Sequence, residues 1–313
     1  MWFLLSLCVF LSTDVFAQNK KIVYLVSDIG IPFWRIISQG LEEKAKSLGY
    51  DSIVYTANNE KQKELQNLFN AIDSQPDAMV ISPINSSTAQ TILKFANKSN
   101  IPVVIADIGT QGGEYLSYIS SDNFQGASKI AEVLVEKLKE KGWLTNPSIG
   151  IIGIPQKRLN GKLRTAGFLD ILHKNNIKDV QLYQQVDFSY DETYNYTLQL
   201  IEEKPNLKAI WLQGSDRYQA ALDAINKKNK NDQVLLLCFD AEPEFIQLIK
   251  EKKIVGFAMQ QPYLIGERSA EIIDDYFHKK SIDKQIHLDV LAISKKNLAE
   301  KLDLVKKYAL GIK

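Results

Sequence analysis

The sequence has little of what several common classes of protein require. Its 313 residues include only two cysteines and three histidines, which argues against a disulfide scaffold and leaves little material for a Cys/His metal centre. Thirty-eight Lys and Arg residues balance 37 Asp and Glu residues, for a net charge of +1. This balance does not support a nucleic-acid surface or a polybasic membrane patch. Hydrophobic residues make up 45% of the chain, as in a soluble globular protein of about two domains.

The first residues are predicted to be an export signal. Residues 2–11 are almost wholly apolar, and Val15 and Ala17 follow at the −3 and −1 positions of a typical cleavage site. An apolar run this short cannot span the ~30 Å hydrocarbon core of a membrane. We therefore assign residues 1–17 as a signal peptide cleaved after Ala17, and expect the mature protein to be exported.

Neither cysteine is expected to carry chemistry. Cys8 lies within the predicted signal, and Leu7 stands before it, where a lipid-anchor motif needs a small residue. Cys238 lies in the apolar run 234–239. A small buried hydrophobe is therefore favoured there over a reactive thiol.

Short β-rich segments alternate with amphipathic segments along the rest of the chain. Residues 22–27 are mainly β-branched or aromatic, whereas residues 33–48 place apolar side chains at helical spacing. Such alternation predicts the α/β class, with doubly wound parallel sheets covered by helices on both faces. Further strands are predicted at 52–55, 78–82, 103–106, 148–154, 180–184, 209–212 and 233–239, and further helices at 62–72, 87–97, 161–175, 190–204 and 217–227.

The second half of the chain repeats the pattern of the first. Residues 72–81 and 201–210 each read as a helix end, a proline-marked turn and an apolar strand. The segment 124–132 resembles 264–271, which suggests that the two halves exchange their last helices. Two similar lobes predict a ligand in the cleft between them, beyond the carboxyl ends of the strands.

Seven segments, in order, resemble the type I periplasmic binding proteins, specifically the ribose/galactose-binding group. The resemblance covers nearly the whole mature chain. It implies a periplasmic protein with two similar lobes, joined by three hinge crossings, that close on a ligand. The segments are Ile22–Ser27 with Pro32-Phe33-Trp34, Ser82–Asn85, Ile101–Asp107, Ile119–Gly126, Arg164–Phe168, Cys238-Phe239-Asp240 and Gln260–Gly266.

The resemblance also implies where the chain passes between the lobes. Crossings are expected near residues 121–122, 260–261 and 289–290. The N-terminal lobe would then comprise 18–121 plus 261–289, and the C-terminal lobe 122–260 plus 290–313.

Two aspartates are the first candidates for ligand contacts. Asp107 and Asp240 each end an apolar strand, one in each lobe, and the resemblance places both at the family's ligand carboxylates. A carboxylate there can accept hydrogen bonds from two hydroxyl groups. The alternative is a helix N-cap, a position where aspartate is also common.

Aromatic residues are the second candidates, because sugar sites lay aromatic rings on the faces of the sugar. Phe33 and Trp34 match the family's stacking pair, with one ring expected in the cleft and the other partly in the core. Phe188 is similar to a third ring in the second lobe. Core packing is the alternative for all three.

The first lobe offers three further polar candidates. Ser27 and Asp28 end the first strand, and Arg35 follows the aromatic pair. The resemblance implies an arginine contact at that last position in some furanose-binding members. A solvated helix residue is the alternative for Arg35.

The second lobe offers five. Asn160, Lys162 and Arg164 precede a Gly-Phe pair where the family places cationic or amide donors, and the sequence does not show which of them faces the ligand. Asp216 follows a strand of this lobe, and Gln260 lies at the second crossing, where family members use an amide.

Three positions depart from the ribose-binding pattern. Ile31, Ile108 and Gly214 stand where ribose binders carry polar side chains. We therefore expect a ligand that is less polar, differently shaped or larger than ribose.

Solute capture for an ABC importer is the function that the resemblance favours. The alternative is a sensor that docks on a periplasmic histidine-kinase or chemoreceptor domain. No metal-ligand spacing, P-loop or nucleophile elbow is present in the sequence. We therefore expect a monomeric, non-enzymatic binding protein without cofactor or metal, whose partners are a sugar-like small molecule and either an ABC permease or a sensor-kinase domain.

Overall fold

The computed structural model describes residues 19–312, so the predicted signal peptide lies outside the described residues. The first part of the chain forms β1 (Lys21–Val26), α1 (Pro32–Ser47), β2 (Asp51–Thr56), α2 (Lys61–Asp73), β3 (Ala78–Ser82), α3 (Ser86–Lys98), β4 (Val103–Ala106) and β5 (Ser117–Ser121). The second part forms α4 (Asn123–Glu140), β6 (Ser148–Gly153), α5 (Leu159–Lys174), β7 (Asp179–Gln184), α6 (Tyr190–Glu203), β8 (Leu207–Leu212), α7 (Tyr218–Lys227), β9 (Leu235–Phe239), α8 (Phe245–Lys250) and β10 (Gly256–Met259). The chain then continues through α9 (Pro262–Phe277), β11 (Gln285–Leu288), β12 (Leu291–Ser294), α10 (Leu298–Leu304) and a π-helical turn (Val305–Ala309).

These strands form two six-stranded sheets with equivalent topology. The first has the order β11-β5-β4-β3-β1-β2 and the second the order β12-β10-β9-β8-β6-β7. All neighbouring strands are parallel except the antiparallel pair β10–β12. The predicted fold class, two doubly wound parallel-sheet lobes, is confirmed.

The inner strands of each sheet are buried on both faces, which is why they form continuous apolar runs in the sequence rather than alternating ones. Every residue of β3 and of β6 is buried. Each sheet has a separate hydrophobic cluster on each of its two faces. Cys238 is fully buried in one of these clusters, which confirms its prediction as a buried hydrophobe.

Two helices lie on the opposite lobe from the strand that precedes them. After β5 of the first sheet, α4 packs on α5 of the second lobe, and after β10 of the second sheet, α9 packs on α1 of the first. This is the predicted exchange of helices between the halves. The chain crosses once more between β11 and β12. The individual boundary residues of the lobes remain a prediction.

Glycines permit both helix pairs to pack closely. A Cβ atom at Gly40 in α1 would lie 2.1 Å from the carbonyl oxygen of Tyr263 in α9. A Cβ atom at Gly167 in α5 would lie 2.1 Å from the carbonyl oxygen of Phe124 in α4. No side chain fits in either place. Each lobe therefore has a glycine in the helix that follows its first strand, α1 or α5, at the point where the neighbouring helix packs.

Within residues 19–312, no helix is both long enough and apolar enough to cross a membrane.

Candidate ligand-binding cleft

A cavity of about 80 Å³ lies between the two lobes, beyond the carboxyl ends of β4, β8, β9 and β10. A water needs ~10–15 Å³ by this measure, so the cavity has room for a single small molecule and not for an oligosaccharide. The aromatic, charged and amide side chains that line it are Phe33, Trp34 and Phe188, the acidic Asp107, Asp216, Asp240 and Glu242, the basic Arg158 and Arg164, and the amides Asn160, Gln213 and Gln260.

Asp107 and Asp240 occupy equivalent positions in the two lobes. Each directly follows a buried strand, and each has a left-handed backbone, with φ of 66° and 71°. Each donates its backbone N–H to a carbonyl of the neighbouring strand, Ile119 at 2.8 Å and Ala258 at 2.9 Å. Aspartate adopts this backbone region more readily than most residues. Neither residue caps a helix, since the N-cap of α8 is Glu244.

The Asp107 carboxyl is buried and lacks a full set of partners. The residue is 2% exposed, and among the described residues its Oδ1 atom has no hydrogen-bond partner. Burial raises its pKa to about 6, with Arg164 opposing the shift, Asp240 adding to it and Arg158 opposing it. The cations that act on this first-lobe carboxyl therefore both come from the second lobe. Such a buried, incompletely paired acceptor is typical of a binding position.

The Asp240 carboxyl is held between an amide and a guanidinium. Gln260 Nε2 donates to Asp240 Oδ1 at 2.5 Å, and Arg164 Nη1 lies 3.8 Å from Asp240 Oδ2. Burial raises the pKa of Asp240, while Arg164 and the hydrogen bond from Gln260 oppose the shift. The other amide atom, Gln260 Oε1, is buried without a partner among the described residues. It can therefore accept a hydrogen bond from a ligand.

Arg164 is fixed by its own lobe. Its Nε donates to Asn123 Oδ1 at 2.8 Å, and its Nη1 donates to the Gln213 carbonyl at 2.6 Å. Its guanidinium carbon lies 3.8 Å from the centre of the Phe239 ring, a stacking geometry that favours a cation. The side chain is 3% exposed. This arrangement holds a positive charge between the two aspartates.

Arg158 reaches across the cleft. Its Nε donates to the carbonyl of Ile84 in the first lobe at 3.2 Å. The backbone N–H of Ile84 in turn donates to Glu64 Oε1 at 2.7 Å. The Arg158 guanidinium also lies 5.6 Å from the centre of the Phe188 ring. Arg158 thus links the two lobes beside the cavity.

Aromatic rings line the cavity from both lobes. The Phe33 and Trp34 rings meet edge to face, with centroids 5.1 Å apart. Trp34 is buried within the first lobe's hydrophobic cluster, and Phe33 packs against that cluster. Phe188 has a left-handed backbone, φ 53°, and its carbonyl accepts from Arg217 Nε at 2.6 Å. The first turn of α1 therefore presents both predicted rings to the cavity.

Two further carboxylates lie on the second-lobe wall. Asp216 Oδ2 is 3.2 Å from Arg217 Nη1. Glu242 accepts from Ser215 Oγ at 2.7 Å. Burial, with the neighbouring Asp216, Asp240 and Glu244 adding to it, raises the pKa of Glu242 to about 7, while the Ser215 hydrogen bond opposes the shift.

The structure brings nine of the thirteen predicted site residues to the cavity. The other four do not line the cavity and differ in their exposure and position. Ser27 is fully buried, whereas Arg35 and Lys162 are exposed. Asp28 lies nearer the mouth of the cleft, where it accepts from Asn59 Nδ2 at 3.1 Å. Of the three candidates in 160–164, Asn160 and Arg164 line the cavity and Lys162 does not.

Sequence reasoning missed Arg158, Gln213 and Glu242. All three lie in loops that follow strands, where ligand contacts were expected, and Gln213 directly follows β8. Their position after a strand could have identified them as candidates. Nothing in the sequence, however, distinguishes these three residues from their neighbours in the same loops. Of the three departures from the ribose-binding pattern, Ile31 and Gly214 line the cavity, and Ile108 is buried in the first lobe's core.

Within residues 19–312, no group of three or more His, Cys, Asp or Glu side chains is arranged to hold a metal ion.

Two doubly wound lobes around a shared cavity define a two-lobed ligand-binding protein. The chain belongs to the periplasmic binding protein domain family, which it matches over residues 22–281.

Relatives and solved structures agree with this assignment. The chain is 30% identical to the ribose import binding protein of Bacillus subtilis (strain 168) over 275 residues, 86% of each chain. It is 24% identical to the D-apiose import binding protein of Actinobacillus succinogenes, over 96% of each chain. The fold is similar to that of a carbohydrate transporter solute binding protein from Agrobacterium radiobacter, with a TM-score of 0.83, 21% identity, and coverage of 93% of this chain and 99% of that one.

Proposed function

We propose that this protein captures one monosaccharide in the cleft and delivers it to an ABC importer. The observation that carries the proposal is the pair Asp107 and Asp240, which places one carboxylate from each lobe on the wall of a single small cavity. Two carboxylates can together accept hydrogen bonds from several hydroxyl groups, and the adjacent rings can cover the apolar face of a sugar. The names of the import binding proteins that this chain resembles support the same conclusion.

Ribose itself is not the sugar that we propose. Ile31 and Gly214 give the cavity wall no polar side chain at two positions where ribose binders carry one. The cations near Asp107 come from the opposite lobe, as Arg158 and Arg164. A pentose or hexose with a different pattern of hydroxyl groups fits this wall better.

A panel of aldopentoses, ketoses, hexoses and amino sugars tests the proposal. The protein is first unfolded and refolded to remove any bound molecule. Binding of one sugar should raise the melting temperature, because only the folded protein binds, and calorimetry should then give one site per chain. If no sugar in the panel binds, the proposal is wrong.

The proposal also covers the export of the protein, its oligomeric state and its membrane partner. We propose that the chain is cleaved after Ala17 and acts as a monomer. N-terminal sequencing of periplasmic protein and the sedimentation coefficient test these two points. Stimulation of the ATPase of a reconstituted permease by the loaded protein would support import. Binding only to a sensor-kinase periplasmic domain would instead favour the sensory alternative.

A further inference from the structure

Glu242 is an acidic group on the cavity wall for which the described chain supplies no cation. Asp240 has Arg164 at 3.8 Å, and Asp216 has Arg217 at 3.2 Å. Among the described residues, no Lys, Arg or His nitrogen lies within 4.0 Å of the Glu242 carboxylate, which accepts only from the neutral hydroxyl of Ser215. The cavity wall therefore carries a carboxylate whose charge is not balanced by the protein.

The rest of the cavity also offers buried hydrogen-bond acceptors to a ligand. Asp107 Oδ1 and Gln260 Oε1 belong to residues that are each 2% exposed, and neither atom has a partner among the described residues. Arg164 already uses Nε and Nη1 within its own lobe. Buried acceptors without partners are costly, so these two atoms favour a ligand that brings hydrogen-bond donors.

From the carboxylate without a cation and these buried acceptors we infer that the ligand is an amino sugar, bound with its protonated amine against Glu242. The inference rests on the proposed function and narrows its substrate class. An ammonium group has three donors and no acceptor, whereas a hydroxyl group brings acceptor lone pairs as well. Its hydrogen bond to a carboxylate is charge-assisted and roughly twice as strong as a neutral one.

The electrostatics of the ligand-free wall agree with this assignment. Burial and the neighbouring carboxylates of Asp216, Asp240 and Glu244 raise the pKa of Glu242 to about 7. Negative charge is therefore destabilised at this point of the wall. A cation bound there replaces repulsion with attraction and stabilises the ionised carboxylate. A neutral sugar has no comparable effect.

Matched sugar pairs test the inference by calorimetry at pH 7.5. D-Glucosamine is compared with D-glucose, and D-galactosamine with D-galactose, each also against its N-acetylated form, in which the amine is uncharged. The better of the two amines should bind at least tenfold more tightly than both its parent sugar and its N-acetyl form. In Glu242→Gln this advantage should fall to less than threefold.

A control variant separates a local effect from a general loss of charge. Glu244 is exposed, two residues from Glu242, and does not line the cavity. Glu244→Gln removes the same charge and should keep the amine preference of the wild type. If it loses the preference to the same extent as Glu242→Gln, the assignment to Glu242 is overturned.

The outcomes also separate this inference from the proposed function. If a neutral sugar binds as tightly as its amine or more tightly, the amino-sugar inference is overturned and the sugar-binding function stands. If neither neutral sugars nor amino sugars bind, both are overturned.

Discussion

Asp107 and Asp240 are related by the internal repeat of the chain and face one cavity from opposite lobes. Each follows the buried strand of its own sheet, adopts a left-handed backbone and donates its N–H to the next strand. This shared geometry aims two carboxylates at the same space. A ligand that bridges them contacts both lobes and therefore favours the closed arrangement by its differential contacts.

The aspartate pair gives the first prediction. Asp107→Asn and Asp240→Asn should each weaken binding of the cognate sugar by on the order of 2–4 kcal/mol, because each leaves buried hydroxyl donors without a charged acceptor. Calorimetry measures the loss. Asp232→Asn, in an exposed turn outside the cavity, is the matched control and should bind like the wild type. Wild-type affinity in either cavity variant would contradict the assigned role.

The second prediction concerns stability in the absence of ligand. Burial raises the pKa of Asp107 from 3.8 to about 6, so the folded state holds this proton more tightly than the unfolded state. The corresponding stabilisation is present below about pH 4 and is lost as the pH rises through about 6. Asp107→Asn avoids burying the charge. At pH 7.5 it should therefore raise the free energy of unfolding by on the order of 1–3 kcal/mol, an advantage that disappears towards pH 4.

Urea denaturation of the ligand-free wild type and Asp107→Asn at pH 4.5 and pH 7.5 measures this difference. A variant that is less stable than the wild type at pH 7.5 would show that the charged carboxylate stabilises the fold. The burial argument would then be wrong.

The third prediction concerns the crossing of α4 and α5. Gly167→Ala places a Cβ atom against the carbonyl oxygen of Phe124, where the available distance is 2.1 Å. The backbone must shift, so the variant should lose at least about 1–3 kcal/mol of stability and several degrees of melting temperature.

Gly112→Ala is the control for this glycine. A Cβ atom there meets only the flexible end of Gln90, at 3.2 Å. Its melting temperature should stay close to that of the wild type. Equal losses in the two variants would mean that close packing of the helices is not the cause.

Most of the fold was predictable because a strand that is buried on both faces of its sheet consists of consecutive apolar residues. The predicted strands 78–82 and 103–106 match β3 and β4 residue for residue. Sequence reasoning assigned no strand at β5, β10, β11 or β12. The last two have four residues each and lie at the sheet edges, where β11 alternates exposed and half-buried positions and β12 is mostly half-buried. Their pairing is decided by the crossing of the chain between the lobes. Local pattern does not contain that information.

The site was predictable where position alone decides it. Asp107 and Asp240 could be predicted to line the cleft because they end strands of equivalent position in the two halves. Arg35 and Lys162 were candidates by chain position, but the rotation of their helices leaves them exposed. Arg158 was missed because its role depends on how the opposite lobe approaches, which no local pattern encodes.

Small-angle scattering with and without saturating sugar tests the central claim most directly, namely that one ligand is held by both lobes. The cavity takes its carboxylates from both lobes, and Arg158 contacts Ile84 across the cleft. The account therefore predicts a smaller radius of gyration in the saturated protein. An unchanged radius of gyration, with binding confirmed by calorimetry on the same sample, would contradict it.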